Sequence, residues 1–455
     1  MENEKRANIK PELLGGFRDY LPDVMISRQQ IISKIRDSFE RFGFLPLETP
    51  GLERSSVLGT DKDEFKMEVY RFKDNYQGEG QDVTLRFDLT VPLSRVIAAY
   101  PELLKPFKRY QFGNVWRKER PQSGRFREFA QFDADIVGSE SILADTEILT
   151  LMYETLRNLG LENFIIRFNN RKILNGLPEI ANFCQERVVD VLRVLDKLDK
   201  IGIKKVIEEL QRKPANQYDD TALNLGDFSV SKIKEFLSLS DNYIDEGELI
   251  IKLKNFFRGV QIAEEGIQEC ESIIKNIREL GIPSRNWKFD LSIARGLGYY
   301  TGPVFETTLT DLPQIGSVFS GGRFDKLIMR FTGEKIPAVG ASIGVDRLIV
   351  ALEKLEMVSR QKSTARVLIT LMDEKFSIDI LKLAQKLRAA GINTEIYLGK
   401  GNTLKDQIIY AAKREIPFVV FFSENEKKAG KFKLKDMSCR KECLLTEREL
   451  IDKLL

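Results

Sequence analysis

The chain is 455 residues long, 42% hydrophobic and 31% charged, with a formal net charge of +3 and no histidine. That length predicts two or three domains, and the composition is that of a folded protein with a real core rather than a disordered one. Near-neutral charge excludes a purely electrostatic nucleic-acid coat but permits local basic patches, and the missing histidine excludes a histidine general base, a catalytic triad and a histidine metal ligand. Any catalysis therefore rests on arginines, carboxylates and hydroxyls, with magnesium a further candidate. Along the chain, Ile32, Ile35, Phe39 and Phe42 recur at steps of three and four and predict a helix. "FLPLETPGL" follows as an extended segment, and "MEVYRFKD" and "DVTLRFDLTVP" read as a hairpin. The second of these strands puts Val83, Leu85 and Phe87 on one face and Thr84, Arg86 and Asp88 on the other, with Thr90 continuing the polar face if the strand runs on.

"KRYQFGNVWRK" places Tyr110, Phe112 and Trp116 opposite Arg109, Gln111 and Arg117. Its return strand "FREFAQFDADIVG" sets Ala130, Phe132, Ala134 and Ile136 against Gln131, Asp133 and Asp135. Such a sheet resembles the floor of a site, although the commoner use of alternation is a solvated outer face. Residues 170–285 have helical spacing and read as a helical insertion. Strands resume at "WKFDLSIA", and "SGGRFDKLIMRF" and "VGASIGVDRLIVALEKL" each read as a glycine-rich entry into a helix. After the polar "EKLEMVSRQKST", three strands alternate with two helices and predict a small α/β domain with a mostly parallel sheet.

No run approaches the roughly 18 apolar residues needed to span a bilayer, so no membrane partner is expected. The charged N-terminus is not expected to be a secretory signal. Cys184, Cys270, Cys439 and Cys443 make no disulfide framework, and free thiols in a cytoplasmic protein are the expectation. Three arginines stand at junctions of strand, turn and helix: Arg117, Arg295 and Arg347. The planar guanidinium fork suits phosphate, and Arg347 lies in the first turn of its helix, where free backbone donors and the dipole also favour an anion. Any one of them could be an ordinary surface arginine; together, beside glycine-rich turns, they point to a polyphosphate ligand.

"GNVWRKERPQSGRFREFAQFDAD", "IARGLGYYTG", "SGGRFDKL" and "VGASIGVDRL", in this order, resemble the histidyl-tRNA synthetases, a family of class II aminoacyl-tRNA synthetases. The resemblance covers essentially the whole chain. It implies an α+β fold: an antiparallel-sheet catalytic core (1–169 and 286–352), the helical insertion (170–285), a linker (353–364) and a C-terminal α/β anticodon-binding domain (365–455). It also implies that "IISKIRDSFERFGFLPLETP" is a motif used in dimerisation, making a homodimer the expected assembly. The implied reaction activates histidine with ATP, releases pyrophosphate, and transfers histidine to the 3′ end of tRNA(His), releasing AMP.

By the same resemblance Arg117, Glu119, Arg125 and Arg347 bind ATP, with Arg117 and Arg295 acting on the α-phosphate and Mg²⁺ assisting. Asp88, Thr90 and Gln131 hold the α-amino end of histidine, and Asp135 and Tyr300 read its imidazole, while Tyr299 packs. The chemistry agrees with this assignment: a neutral imidazole presents one N–H and one acceptor nitrogen, which a carboxylate and a phenol complement. Histidine's carboxylate attacks the α-phosphorus without a general base, so catalysis is alignment plus electrostatic stabilisation. In the second step the ribose proton leaves to the adenylate's own phosphate. Two departures from the family pattern stand near the pocket: Gly298 where the turn usually carries Asp, and Ala130 in place of a larger residue.

The basic hairpin "KKAGKFKLKDMSCRK" and the helix "TLKDQIIYAAKRE" are candidates for the anticodon stem, although edge lysines also serve to block sheet-to-sheet pairing. Two rival readings are a histidine-sensing module similar to the synthetase-like subunit of ATP phosphoribosyltransferase, and an RNA-binding scaffold. Both are disfavoured by the complete arginine set, and the sensor also by the C-terminal domain.

Overall fold

The computed structural model describes residues 10–59, 69–74, 80–120, 124–214, 222–240, 245–294, 299–358, 360–400 and 403–455. Arg295 and Gly298 lie outside the described residues. The chain forms two compact units, one of Ser33–Leu355 with the segment up to Phe17, the other of Arg18–Ile32 with Glu356–Leu455.

The first unit is organised by a sheet of eight strands: β1 (Leu45–Pro46), β2 (Phe107–Trp116), β3 (Glu128–Val137), β4 (Phe164–Asn170), β5 (Trp287–Phe289), β6 (Pro303–Leu309), β7 (Ser317–Arg323) and β8 (Ala338–Gly344). Their spatial order is β1-β2-β3-β8-β7-β6-β4-β5. Pairing is antiparallel from β2 through to β4, and parallel only at the two edges. The β2–β3 ladder runs without a break from Phe107↔Val137 to Trp116↔Glu128, so the two alternations in the sequence meet in phase.

The expected helix spans Pro22–Arg41, and Ile32, Ile35 and Phe39 are buried. Phe39 packs on the apolar face of the sheet, its ring centroid 5.0 Å from Phe132 and 6.4 Å from both Tyr110 and Phe319. Phe42 falls just past the helix end and is only half-buried; Phe44 fills the core instead. Helix Ile142–Asn158 lies alongside, with Asn158 Nδ2 donating to Lys34 O (3.1 Å) and Ser38 Oγ (3.0 Å).

The polar face is not solvated. Arg109 is 0%, Gln111 1%, and Asp133 and Asp135 each 2% exposed. The strand Gln81–Leu85 likewise reverses the usual sense: Thr84, Arg86 and Asp88 are buried while Val83 and Leu85 are half-buried. That strand stops at Leu85, and Thr90 begins a helix, Thr90–Ala99, rather than extending the strand. Arg86 accounts for the reversal, since its guanidinium donates to Asn114 O (2.8 Å) and Thr49 O (2.5 Å), tying three segments together beneath the surface.

"SGGRF" also differs from expectation. Gly321 and Gly322 sit inside β7, and only a short helix, Met329–Thr332, follows. Close approach explains them: a Cβ on Gly321 would run into Gly340 O and Ala341, and one on Gly322 would meet Pro303 O at 2.7 Å and the Tyr300 ring at 2.9 Å. Residues 171–279 are helical throughout their described elements, ending in the long helix Gln261–Glu279, which buries Ala263, Ile267, Cys270, Ile273 and Ile277.

The second unit carries β9 (Val367–Ile369), β10 (Thr394–Ile396), β11 (Phe418–Phe421), β12 (Phe432–Asp436) and β13 (Glu442–Leu445), in the order β10-β9-β11-β12-β13. The first three are parallel, as expected of the strand–helix alternation, and the basic hairpin β12–β13 adds two antiparallel strands.

Beneath β7 a buried ion pair joins Arg323 to Asp145, with Arg323 also donating to Ser139 O (2.9 Å) and Ser141 O (3.2 Å). Arg323→Ala leaves the Asp145 carboxylate buried without its partner, which costs about 3–5 kcal/mol. Urea unfolding of the variant against the parent measures this; a difference below about 1 kcal/mol would mean that Asp145 finds another partner.

Candidate active site

The floor is built by period-two alternation on β3. Gln131, Asp133 and Asp135 project to one side, and the register sets Asp135 opposite Arg109 and Gly340, Asp133 opposite Gln111 and Ser342, and Gln131 opposite Gly113 and Gly344. Above this floor is a cavity of about 310 Å³ lined by all five residues expected to hold histidine: Asp88, Thr90, Gln131, Asp135 and Tyr300. A second cavity of about 150 Å³ is lined by Arg117, Glu119, Arg125 and Arg347, the four expected at ATP. Arg117, Gln131, Ser320 and Ser342 line both, so the cavities adjoin.

The larger cavity is acidic, with Asp88, Asp133, Asp135 and Asp196 in its lining. Burial pushes the carboxyls of Asp88, Asp133 and Asp135 upward from the usual range; Arg109 opposes this most for Asp133 and Asp135, and the backbone N–H of Val91 most for Asp88. Arg109 Nη2 is 2.7 Å from Asp135 Oδ2 and donates to Leu89 O at 3.0 Å. Two acceptors are left over: Asp88 Oδ1 takes the Val91 N–H at 3.0 Å, while its Oδ2 and the Oε1 of Gln131 are buried without a partner. A pair of unpartnered acceptors in one cavity suits an ammonium group. Burial, and then the carboxylates, hold the Tyr300 phenol well above its usual range, so it stays a protonated donor. Tyr299 packs as expected, its ring 5.0 Å from Tyr300 and 6.0 Å from Phe324, and it also lines the cavity.

On the other side, Arg117 leaves the end of β2, donates from Nε to Phe87 O (3.0 Å) and lies over the Phe129 ring (5.2 Å). Glu119 sits between two guanidinium groups, 3.8 Å from Arg117 and 3.4 Å from Arg125. Arg347 is the third residue of helix Val345–Lys354, and its Nη1 donates to Ser317 O (2.6 Å). That helix is pinned to the floor by Asp346, which accepts the Ala130 N–H at 2.7 Å. Ala130 is fully buried on the Phe132 side of β3 and lines neither cavity, so its small size does not loosen the pocket wall.

Sequence reasoning passed over Ser342, Asp133 and Asp196 as lining residues. Ser342 was hidden because "VGASIG" reads as a helix entry when it is a strand whose alternate positions Gly340, Ser342 and Gly344 face the floor. Asp133 belongs to the floor by the alternation of β3 itself. Asp196, half-buried at the end of helix Val188–Leu195, is a contribution of the helical region that no local pattern signals. In the second unit, the basic hairpin is partly neutralised, with Lys435 3.2 Å and Lys433 4.0 Å from Glu442.

A family model described as Histidyl-tRNA synthetase matches residues 16–348, and one described as Anticodon binding domain matches 366–455. The chain is 42% identical over 442 residues to a Histidine–tRNA ligase of Helicobacter hepaticus, covering 95% of each chain. It is also 42% identical over 448 residues to one of Wolinella succinogenes, covering 98% of each. The crystal structure of histidyl-tRNA synthetase from Nostoc aligns with a TM-score of 0.83 at 32% identity, over 98% of this chain and 99% of that one. A Bacillus halodurans structure described as an ATP phosphoribosyltransferase regulatory subunit/histidyl-tRNA synthetase has a TM-score of 0.73 at 22% identity, over 91% of this chain and 99% of that one, a likeness of fold alone.

The sheet, its paired cavities and these matches make the chain a class II aminoacyl-tRNA synthetase, an ATP-dependent ligase of protein biosynthesis. Within that class it belongs to the histidyl-tRNA synthetase family, and its reaction is the ligation of histidine to tRNA.

Gly340 tests the floor. A Cβ there would collide with the Asp135 carboxylate and with Ala134 O (2.7 Å). Gly340→Ala is expected to displace Asp135 and weaken histidine binding by at least tenfold, with ATP binding changed less than threefold; calorimetric titration of each ligand checks it.

Proposed function

We propose that the two adjoining cavities hold histidine and ATP as the residue chemistry implies. The observation that carries this is the position of Arg117 on the boundary: a carboxylate in the larger cavity and an α-phosphate in the smaller would meet beside its guanidinium. The unpartnered acceptors of Asp88 and Gln131, with Thr90, take the α-ammonium group. Asp135 accepts from one imidazole nitrogen, and the Tyr300 phenol, kept protonated by burial, donates to the other. An apolar competitor would leave both buried groups unpaired, which rejects it by roughly four to five orders of magnitude.

On the nucleotide side, Arg347 holds the terminal phosphate at its helix start, Glu119 and Arg125 flank the adenine, and Arg295 completes the cationic grip on the α-phosphate. With the reactants aligned, the histidine carboxylate, already ionised, attacks the α-phosphorus, and charge growing on the phosphate is stabilised by Arg117 and Arg295. The tRNA ribose hydroxyl then attacks the anhydride, its proton passing to the adenylate phosphate. Mg²⁺ is expected to enter with ATP, held chiefly by phosphate oxygens and water.

The finer organisation belongs to the same reading. Residues 1–169 and 286–352 act as the catalytic core, 170–285 as the insertion, 353–364 as the linker and 365–455 as the module that meets the anticodon of tRNA(His). The enzyme works as a homodimer in the cytoplasm; no helix among the described residues is long and apolar enough to cross a membrane.

Histidine-dependent ATP–pyrophosphate exchange tests the reading. Exchange is expected with histidine alone among the amino acids, lost in Arg295→Ala, and reduced by roughly ten- to a hundredfold at fixed ATP in Arg347→Ala, the loss of one charge-assisted grip. Full exchange in Arg295→Ala would remove that residue from the mechanism.

A further inference from the structure

We propose that Ser342 and Asp133 are positioning residues which determine the end of the Gln131 amide that meets the substrate's ammonium group; this rests on the reading above that the ammonium lies at Asp88, Thr90 and Gln131. The register of β3 against β8 puts Ser342 opposite Asp133, one alternate position from the Gly344↔Gln131 pair. Gln131 Nε2 donates to Ser342 Oγ at 2.8 Å, and Ser342 Oγ donates to Asp133 Oδ1. The three side chains form one relay across two strands.

The direction of that relay follows from proton count. A serine hydroxyl carries one proton. In the structure Ser342 directs that proton to Asp133 Oδ1, which leaves it only lone pairs to offer Gln131. An amide has nearly the same shape either way round, but only its NH₂ end is compatible with an oxygen that cannot donate. The carbonyl end is then left over, and Oε1 of Gln131 is the atom found buried without a partner. Turned the other way, the amide would set its oxygen against the Ser342 oxygen and its NH₂ against an ammonium, losing one hydrogen bond and gaining a donor–donor clash. Arg109, on the neighbouring strand, supports the relay as the charge that most opposes the upward push of burial on the Asp133 carboxyl.

Two consequences distinguish this from a merely structural role. The relay acts only on ligands that possess an ammonium group, and it needs a hydroxyl at position 342 but not serine itself. The experiment is calorimetric titration of the full chain with histidinol and with its deaminated counterpart, 3-(imidazol-4-yl)propan-1-ol, which differ only in the amine. In Ser342→Ala and in Asp133→Asn the Gln131 amide is free to turn, and histidinol is expected to bind roughly tenfold more weakly while the deaminated probe changes less than twofold. Ser342→Thr is expected to bind both as the parent does. Equal weakening of both probes, or no change in either, would overturn the relay. Gln131→Ala separates the two layers: if it fails to discriminate between the probes, the ammonium is not at Gln131 and the underlying reading falls. If it discriminates and Ser342→Ala does not, only the relay falls. Urea midpoints of each variant accompany the titrations, and should Asp133→Asn not fold, the Ser342→Ala and Ser342→Thr pair decides alone.

Discussion

The buried ion pair between Arg109 and Asp135 is the constraint around which the site is arranged. Three carboxyl groups share one cavity, and burial pushes each of them toward its neutral form. Arg109, fully enclosed by the sheet, opposes that for Asp133 and Asp135; its Nη2 meets Asp135 and Leu89 O, while its Nε and Nη1 are buried without a hydrogen-bond partner. The arrangement leaves acceptors on the cavity side and the cation on the far side. The carboxyls of Asp133 and Asp135 are thus raised from the usual range by burial and held back from a larger rise by Arg109.

That requirement reaches outward into the fold. The ion pair needs β2 and β3 in strict register, so the ladder runs unbroken over ten residue pairs. It needs β8 close enough to cover Asp135, so Gly340 faces the carboxylate where any side chain would collide. It also needs the polar face shielded, which the Arg86-stapled segments and the helix from Thr90 achieve. Phe39 and its aromatic neighbours on the other side of the sheet supply the apolar burial that holds the platform flat against its helices. Division of labour across one sheet, apolar packing below and paired charges above, lets a chain without histidine build a binding site of high polarity inside a stable core.

In the proposed reading the adjoining cavities separate recognition from reaction. The acidic one would read an amino acid by hydrogen-bond direction and the arginine-lined one would grip phosphate by charge, with Arg117 lining both. The exclusion of histidine as a general base costs such a mechanism nothing, because its nucleophile arrives already ionised.

Much of this was legible in the sequence. Period-two alternation in residues 108–118 and 126–138 located the floor and its polar residues, and helical spacing located the helix over Phe39, because these patterns depend only on backbone geometry and the demand to bury apolar area. The arginines and glycine turns carried the resemblance to a family. Other features were settled only in three dimensions. Whether the polar face met water or a second layer was decided by Arg86 and its long-range partners. "SGGRF" and "VGASIG" became strands because neighbouring strands approach too closely for side chains, a reason that lies in residues distant in sequence. Asp196 and Ser342 reach the cavity only through contacts between segments distant in sequence. Local sequence fixed what each segment could form, and tertiary contact decided which faces were buried and which atoms were left without partners, since both are properties of pairs that the chain brings together only when folded.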